Sequence, residues 1–225
     1  MRVKRRMPVS YAVHQFKPGS DPAAPPLLLL HGTGGTEEDL IPLGRALSPG
    51  SALLSPRGNV TERGAARFFA RLAEGVFDPT EVARRTHELA DFIVVSAREY
   101  QFDPRHLIAV GFSNGANIAA TLLQLRPVVL AGAVLFRPMV VIDSPAAPRS
   151  LEKKQVLISS GTNDPLVSDD HPRRLAAHLR AGNCDVTLHT HPADHGMVQA
   201  DVVAAKHWFE SLRSSSASSE LVPGS

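Results

Sequence analysis

Short apolar runs bounded by turn residues alternate with helical patterns along most of this chain. Runs of this kind, with few polar positions, are typical of strands buried on both faces. Their alternation with helices predicts an α/β fold with a mostly parallel central sheet and helices on both faces, in which the first strand forms an antiparallel edge. The predicted strands are Tyr11 to Phe16, Leu27 to Leu30, Ala52 to Leu54, Leu107 to Val110, Gly132 to Phe136, Gln155 to Ser159 and Val186 to His189. The predicted helices are Glu37 to Leu47, Thr80 to Tyr100, Asn114 to Leu125, His171 to Ala181 and Gln199 to Leu212.

Chain length and charge indicate one ordinary globular domain. The chain has 225 residues, and with about 150 residues per domain as a prior, a single domain over residues 1–213 is expected. Lys and Arg number 24 against 22 Asp and Glu, a net charge of +2, and the excess lies near the start at Arg2, Lys4, Arg5 and Arg6. So small an excess argues against a nucleic-acid partner.

Neither a membrane span nor secretion is predicted. The longest apolar runs, such as Leu27 to Leu30, are far shorter than the ~20 residues that cross a bilayer. The basic start is similar to a signal peptide, but His14 and Gln15 interrupt the apolar stretch that should follow. Cys184 is the only cysteine, so no intramolecular disulfide can form, and a cytoplasmic location is expected.

Two segments depart from the alternation of strands and helices. Segment 56–80 mixes Gly, Arg and Phe, and we expect it to be an insertion without strands that covers the functional site. The Ser-rich end with the final LVPGS is similar to the remains of a protease-cleavable tag, and residues 214–225 are predicted to be a disordered tail.

A candidate nucleophile lies between a strand and a helix. Gly111-Phe-Ser113-Asn-Gly115 matches G-x-S-x-G and stands directly after the run LIAV and before the helical pattern NIAATLLQL. This is the setting of a nucleophile elbow, in which a strained turn projects the serine Oγ and glycines let strand and helix pack closely. The alternative is a Gly-rich turn in which Ser113 caps the helix.

Ser113 needs a base, and the base needs an acid to orient it. Asp164 follows the strand QVLISS and His195 follows the strand VTLH, so both should meet Ser113 at the carboxyl edge of a parallel sheet. The alternative for Asp164 is turn formation or helix capping. Asp194 adjoins His195, and Asp169 and Asp170 stand at the start of the next helix, where capping is the more natural role.

The grouping of His189, His191 and His195 raises the alternative of a metal site. Zinc normally takes three protein ligands in a rigid arrangement, and the H-T-H pair lacks such spacing. We therefore predict no metal and place His189 and His191 at the surface or behind the site.

A glycine-rich loop follows the second predicted strand. His31-Gly-Thr33-Gly-Gly35 predicts an oxyanion hole, with the backbone N–H groups of Thr33 and Asn114 as its donors. A phosphate-binding loop is the alternative, but the loop has neither the Lys of a P-loop nor the dinucleotide glycine spacing.

An ester substrate also needs an apolar groove. Six residues near the site-forming loops are candidate lining residues, although each type is also common in a core. They are Phe68, Phe69, Leu72, Phe77, Leu166 and Met197.

With HGTGG, GFSNG, GTNDP and DHG in this order, the chain resembles the α/β-hydrolase superfamily over residues 8 to 213. The SPRGN segment followed by RFFARLAEGVFD is similar to the phospholipase/carboxylesterase family, in its bacterial branch of small carboxylesterases near the hydroquinone-responsive hydrolases. The resemblance implies Ser113, Asp164 and His195 as catalytic triad, Thr33 and Asn114 as oxyanion donors, and carboxylic esters with short or medium acyl chains as substrates.

The chain departs from two related groups. Acyl-protein thioesterases usually carry Gln after the nucleophile and Leu in the oxyanion loop, where this chain has Asn114 and Thr33. Dienelactone hydrolases use Cys as nucleophile, so Ser113 argues against that activity. Both departures favour small esters over lipidated proteins or dienelactones.

The sequence thus predicts a serine carboxylesterase that needs no cofactor and acts on a small-molecule ester. A lysophospholipase or acyl thioesterase is the alternative within the same chemistry. A non-catalytic binding protein with a hydrolase fold is the alternative of another class, because a fold does not establish activity. A homodimer is left open.

Overall fold

A seven-stranded sheet forms the centre of the computed structural model, which describes residues 11–219. The strands are β1 (His14–Lys17), β2 (Leu27–Leu30), β3 (Leu53–Pro56), β4 (Val60–Glu62), β5 (Ala65–Arg67), β6 (Ile108–Phe112), β7 (Gly132–Phe136), β8 (Gln155–Gly161) and β9 (Asp185–His191). The sheet has the order β1-β3-β2-β6-β7-β8-β9, while β4 and β5 pair separately. Strand β1 runs antiparallel to β3 and all other neighbours in the large sheet are parallel, which confirms the predicted sheet with its antiparallel edge.

Helices cover both faces of this sheet. They are α1 (Ile41–Leu47), α2 (Pro79–Tyr100), α3 (Asn114–Leu125), α4 (Asp170–Ala181) and α5 (Gln199–Ser219). Side chains alternate along a strand, so on β2 Leu28 and Leu30 enter the core under α2, α3 and α4, while Leu27 and Leu29 enter the core under α1 and α5. Each fully buried leucine contributes about 1.5–3 kcal/mol relative to an exposed one. Burial on both faces is therefore why these strands lack polar positions.

Segment 56–80 contains strands that the sequence did not predict. β4 and β5 form an antiparallel hairpin, and its turn places Arg63 and Gly64 at φ values of 50° and 84°. Positive φ at both central residues is the geometry of a tight hairpin turn. The prediction of no strand here was wrong, because the three-residue strands VTE and AAR are too short to show apolar alternation.

The ends of two helices also differ from the predictions. Helix α1 begins at Ile41 rather than Glu37, because the residues before it form turns, in one of which the Thr36 hydroxyl donates to Asp39. Helix α5 continues to Ser219 rather than ending at Leu212, and the disordered tail over 214–225 stays a prediction. Residues 220–225 and the basic Arg2, Lys4, Arg5 and Arg6 lie outside the described residues.

The parallel strands place four loops at one edge of the sheet. The segments that follow β2, β6, β8 and β9 all leave from carboxyl ends, which lie together in a parallel sheet.

None of the helices within residues 11–219 is long and apolar enough to cross a bilayer.

Candidate active site

Ser113 occupies a strained turn between β6 and α3. Its φ of 51° and ψ of −115° lie outside the regions that a residue with a side chain normally adopts. A Cβ at Gly115 would lie 2.0 Å from the carbonyl oxygen of Leu30, and one at Gly111 would lie 2.6 Å from that of Gly115. Only glycine therefore allows α3 to start this close to the sheet. Ser113 makes no side-chain capping bond to α3, so the capping alternative is wrong.

A continuous chain of hydrogen bonds links Ser113, His195 and Asp164. The distance from His195 Nε2 to Ser113 Oγ is 2.9 Å, and that from His195 Nδ1 to Asp164 Oδ2 is 2.8 Å. The Asp164 side chain is fully buried. Its second oxygen, Oδ1, accepts the backbone N–H groups of Leu166 and Val167. These bonds hold the carboxylate so that its other oxygen faces the imidazole.

The loops that carry Asp164 and His195 lie side by side. Thr162 donates its backbone N–H to His191 O at 2.9 Å, and Asn163 donates to Ala193 O at 3.0 Å. A Cβ at Gly161 would lie only 2.2 Å from Ala193 O. The glycine at the end of β8 thus permits the close approach that brings the acid to the histidine.

The competing acids contact other groups. Asp194 Oδ1 accepts the backbone N–H of Gly196, and Asp170 pairs with Arg174 in the first turn of α4. Asp169 precedes α4 without a side-chain capping bond. The rings of His189 and His191 lie 5.0 Å apart, and within the described residues no three His, Cys, Asp or Glu side chains are grouped to hold a metal ion.

Thr33 and Asn114, the predicted oxyanion donors, border the same cavity as Ser113. Segment 56–80 binds both of these residues. Arg67 Nη1 donates to Thr33 Oγ1 at 2.6 Å, and the backbone N–H of Phe68 donates to Asn114 Oδ1 at 2.7 Å. The segment therefore supports the loop and the helix start that contain the predicted donors.

His31 links the glycine-rich loop to segment 56–80 through both of its ring nitrogens. Its Nδ1 lies 2.6 Å from Gly32 O, and its Nε2 accepts the backbone N–H of Gly58 at 2.9 Å. A neutral ring protonated on Nδ1 satisfies both contacts. Burial lowers the pKa of His31, and the hydrogen bond to Gly32 and the nearby carboxylates only partly oppose this effect, which favours the neutral ring.

A cavity of about 270 Å³ opens beside Ser113. Its lining combines apolar side chains with charged groups from segment 56–80. Its lining comprises Thr33, Arg67, Arg71, Glu74, Phe77, Phe112, Ser113, Asn114, Asn117, Arg137, Met139, Leu166, Val167 and His195.

Two of the six predicted lining residues, Phe77 and Leu166, border this cavity, and the other four do not. Phe68 and Phe69 are fully buried in the core beneath α2 and α3, so their assignment to the groove was wrong. Leu72 is 73% exposed and faces solvent outside the cavity. Met197 packs against the core on the opposite face of the sheet. Segment 56–80 turns its two adjacent phenylalanines inward, and this direction depends on the hairpin that the sequence analysis missed.

Sequence reasoning also missed a buried ion pair next to the histidine loop. Arg137 Nη1 lies 2.8 Å from Asp201 Oδ1, and both side chains are fully buried. The only feature of the sequence that could have pointed to Arg137 was its position, because it directly follows β7 at the carboxyl edge of the sheet. An arginine in a sequence gives no sign of burial, because most arginines are exposed.

Comparisons with known proteins identify relatives that are hydrolases and carboxylesterases. The model of the dienelactone hydrolase family matches residues 58–210. The Bacillus subtilis (strain 168) protein called "Putative hydrolase MhqD" is 44% identical over 184 residues, covering 82% of this chain and 92% of the relative. A Bacillus cereus carboxylesterase structure is 44% identical with a TM-score of 0.83, covering 88% of this chain and 93% of its own. A structure of YahD with malic acid is 29% identical with a TM-score of 0.84, covering 88% and 98%.

Proposed function

This chain belongs to the dienelactone hydrolase family of α/β hydrolases, and we propose that it is a serine carboxylesterase acting through Ser113, His195 and Asp164. The observation that carries the proposal is the hydrogen-bond chain of 2.9 Å and 2.8 Å that joins these three side chains beside a cavity. The serine in place of a cysteine favours ester over dienelactone hydrolysis. The relative called a carboxylesterase, 44% identical, supports the same chemistry.

In the first half of the reaction, Ser113 Oγ attacks the ester carbonyl carbon. His195 Nε2 takes the hydroxyl proton as the bond forms, and Asp164 stabilises the resulting imidazolium through Nδ1. The backbone N–H groups of Thr33 and Asn114 stabilise the oxyanion. When the intermediate collapses, His195 gives its proton to the departing alkoxide, which leaves as the alcohol, and Ser113 retains the acyl group.

In the second half, water replaces the alcohol. His195 takes a proton from the water as its oxygen attacks the acyl carbon, and the same donors stabilise the new oxyanion. Collapse releases the carboxylic acid, and Ser113 Oγ recovers its proton from His195. No redox step or cofactor is needed, because each half-reaction only exchanges one oxygen substituent on the acyl carbon for another.

The cavity supports short or medium acyl chains. Its volume of about 270 Å³ lies near the lower limit of ligand pockets, ~300–1,000 Å³. Phe77 and Leu166 border it, and the charged Arg67 and Arg71 in the same lining disfavour a long apolar chain there. We therefore propose small carboxylic esters rather than palmitoylated proteins as substrates.

We also propose that the enzyme works in the cytoplasm. The thiol of Cys184 is buried, and burial raises its pKa to about 12. A thiol in this state has almost no thiolate at neutral pH and takes no part in exchange. A single inert cysteine is compatible with a reducing compartment.

A fluorophosphonate probe tests the proposed nucleophile directly. We expect the protein to be labelled at Ser113, which peptide mapping would locate, and Ser113→Ala to remain unlabelled. An unlabelled wild-type protein that still folds would favour the non-catalytic binding protein. A parallel panel of aryl esters with acyl chains from acetyl to palmitoyl, together with matched thioesters, separates a carboxylesterase from a lysophospholipase or thioesterase.

A further inference from the structure

Arg137 is an arginine with no exposed side-chain surface. It directly follows β7 and has a φ of 54°, which turns its side chain away from the usual strand direction. Its neighbour Phe136 accepts the backbone N–H of Ser113 at 2.9 Å, and Arg137 itself donates its backbone N–H to Ser159 O at 2.9 Å. The residue therefore lies between the nucleophile turn and the strand that leads to Asp164.

The guanidinium binds the backbone on both sides of His195. Arg137 Nε donates to Asp194 O at 2.9 Å, and Nη2 donates to Gly196 O at 2.7 Å. Two carbonyl groups that flank one residue are thus held by a single planar, rigid group. Arginine is suited to this task, because its N–H donors point in fixed directions, whereas a lysine ammonium offers a compact point charge.

The remaining donors of Arg137 bind Asp201 and β8. Nη1 lies 2.8 Å and Nη2 2.9 Å from the two oxygens of Asp201, and Nη1 also contacts Ser159 O at 3.3 Å. Asp201 accepts further bonds from Ser159 Oγ and the Val198 backbone. Burial raises the pKa of Asp201, but the bonds from Arg137, Ser159 and Val198 outweigh that effect and hold it below the usual range. All five guanidinium N–H groups thus have acceptors.

We infer that Arg137, held by Asp201, is a positioning residue that sets the backbone of the His195 loop and so the distance from His195 Nε2 to Ser113 Oγ. The inference rests on the proposed function. A buried ion pair contributes little net stability compared with well-packed apolar residues, because both charges lose their hydration. The effect of this pair is instead on the position of His195 relative to Ser113. A displacement near 1 Å between two reacting groups reduces the rate by about 10²-fold.

The central variant is Arg137→Met/Asp201→Leu, which removes both charges together and leaves neither unpaired. We expect it to fold, to show a kcat lower by about 10²-fold, and to keep KM within about threefold, because the Arg137 side chain has no exposed surface from which to contact substrate, while the nucleophile loses its aligned base. Should this variant fail to fold, Arg137→Lys gives the same test, with a kcat lower by at least about tenfold.

A stability control and a rescue separate positioning from simple loss of structure. Leu175→Ala removes a buried side chain of α4, away from the cavity, and should lower Tm without lowering kcat. Arg137→Ala leaves space for a guanidinium ion, which at concentrations well below denaturation should restore kcat in this variant and not increase it in Leu175→Ala.

The rate of fluorophosphonate labelling distinguishes failure of this inference from failure of the proposed function. A wild-type protein that is not labelled would overturn the proposed function, and this inference with it. A wild type that is labelled, beside a folded double variant with kcat and labelling rate within about threefold of it, would overturn the inference alone. A loss of kcat in Leu175→Ala as large as that in the double variant would also overturn the inference, because loss of stability alone would then explain both.

Discussion

The backbone N–H of Phe68 donates a 2.7 Å hydrogen bond to Oδ1 of Asn114, and this bond joins segment 56–80 to the first residue of α3. Both groups are buried. The side chain of Asn114 thereby holds the segment that supports Thr33, while its backbone N–H remains at the proposed oxyanion hole. Asn114 thus connects the turn at Ser113 with the segment that borders the cavity.

Replacing Asn114 by Ala should reduce both stability and activity. The buried N–H of Phe68 would lose its acceptor, which costs about 1–3 kcal/mol, and kcat should fall by about tenfold as the oxyanion loop loses support. Urea unfolding and steady-state kinetics measure the two effects. A variant with wild-type stability would show that water or another group satisfies Phe68.

Replacing Ser113 should separate catalysis from strain. Ser113→Ala and Ser113→Gly should each lower esterase activity by at least ~10³. Glycine adopts a positive φ without steric cost, so Ser113→Gly should be more stable than Ser113→Ala by about 1–2 kcal/mol. Equal stability of the two variants in urea would show that the turn carries no strain, and activity near wild type in either would exclude Ser113 as nucleophile.

Asparagine substitutions test which carboxylate orients His195. Asp164→Asn should lower kcat by ~10³ to ~10⁴, because an amide cannot hold the imidazole in the required tautomer. Asp194→Asn, Asp169→Asn and Asp170→Asn should each cost less than about tenfold, since these carboxylates contact other groups. Comparable damage from Asp194→Asn, with the fold intact by circular dichroism, would contradict the assignment of Asp164.

Cavity and core phenylalanines should respond differently to truncation. Phe77→Ala and Leu166→Ala enlarge the cavity and should shift the preferred acyl chain towards greater length. Phe69→Ala instead removes a fully buried side chain and should cost about 3–5 kcal/mol of stability with little change in chain-length preference. An ester panel combined with thermal unfolding distinguishes the two classes, and a shifted preference in Phe69→Ala alone would reverse this assignment.

Acid should weaken the fold through His31. Burial lowers the pKa of this residue below its ordinary 6.5, so the unfolded chain takes up the proton first as the pH falls. The contribution of neutral His31 to the free energy of unfolding is therefore fully present above the ordinary pKa. It is lost as the pH falls towards the lower pKa of the folded state. In His31→Gln, the loss of unfolding free energy between neutral and mildly acidic pH should therefore be smaller than in the wild type. His207→Gln, at an exposed position on α5, is the control and should behave as the wild type.

The local patterns in the sequence were sufficient to predict the central sheet and to select Ser113, Asp164 and His195, which the structure brings together. Apolar runs without polar positions marked the buried parallel strands, and G-x-S-x-G between LIAV and NIAATLLQL marked the turn at Ser113. The order of strands then placed Asp164 and His195 at the edge where Ser113 lies, because carboxyl ends of parallel strands share one side. These features depend on residues close together in the chain, so they can be read without coordinates.

The surroundings of these residues were decided by the tertiary structure. Phe68 and Phe77 lie in the same segment and have the same chemistry, yet one fills the core and the other borders the cavity. Arg137 and Asp201 are separated by 64 positions, and nothing near either residue indicates burial or pairing. Burial and pairing follow from the packing of distant elements, since the free energy of a charged or apolar side chain depends on what surrounds it in space.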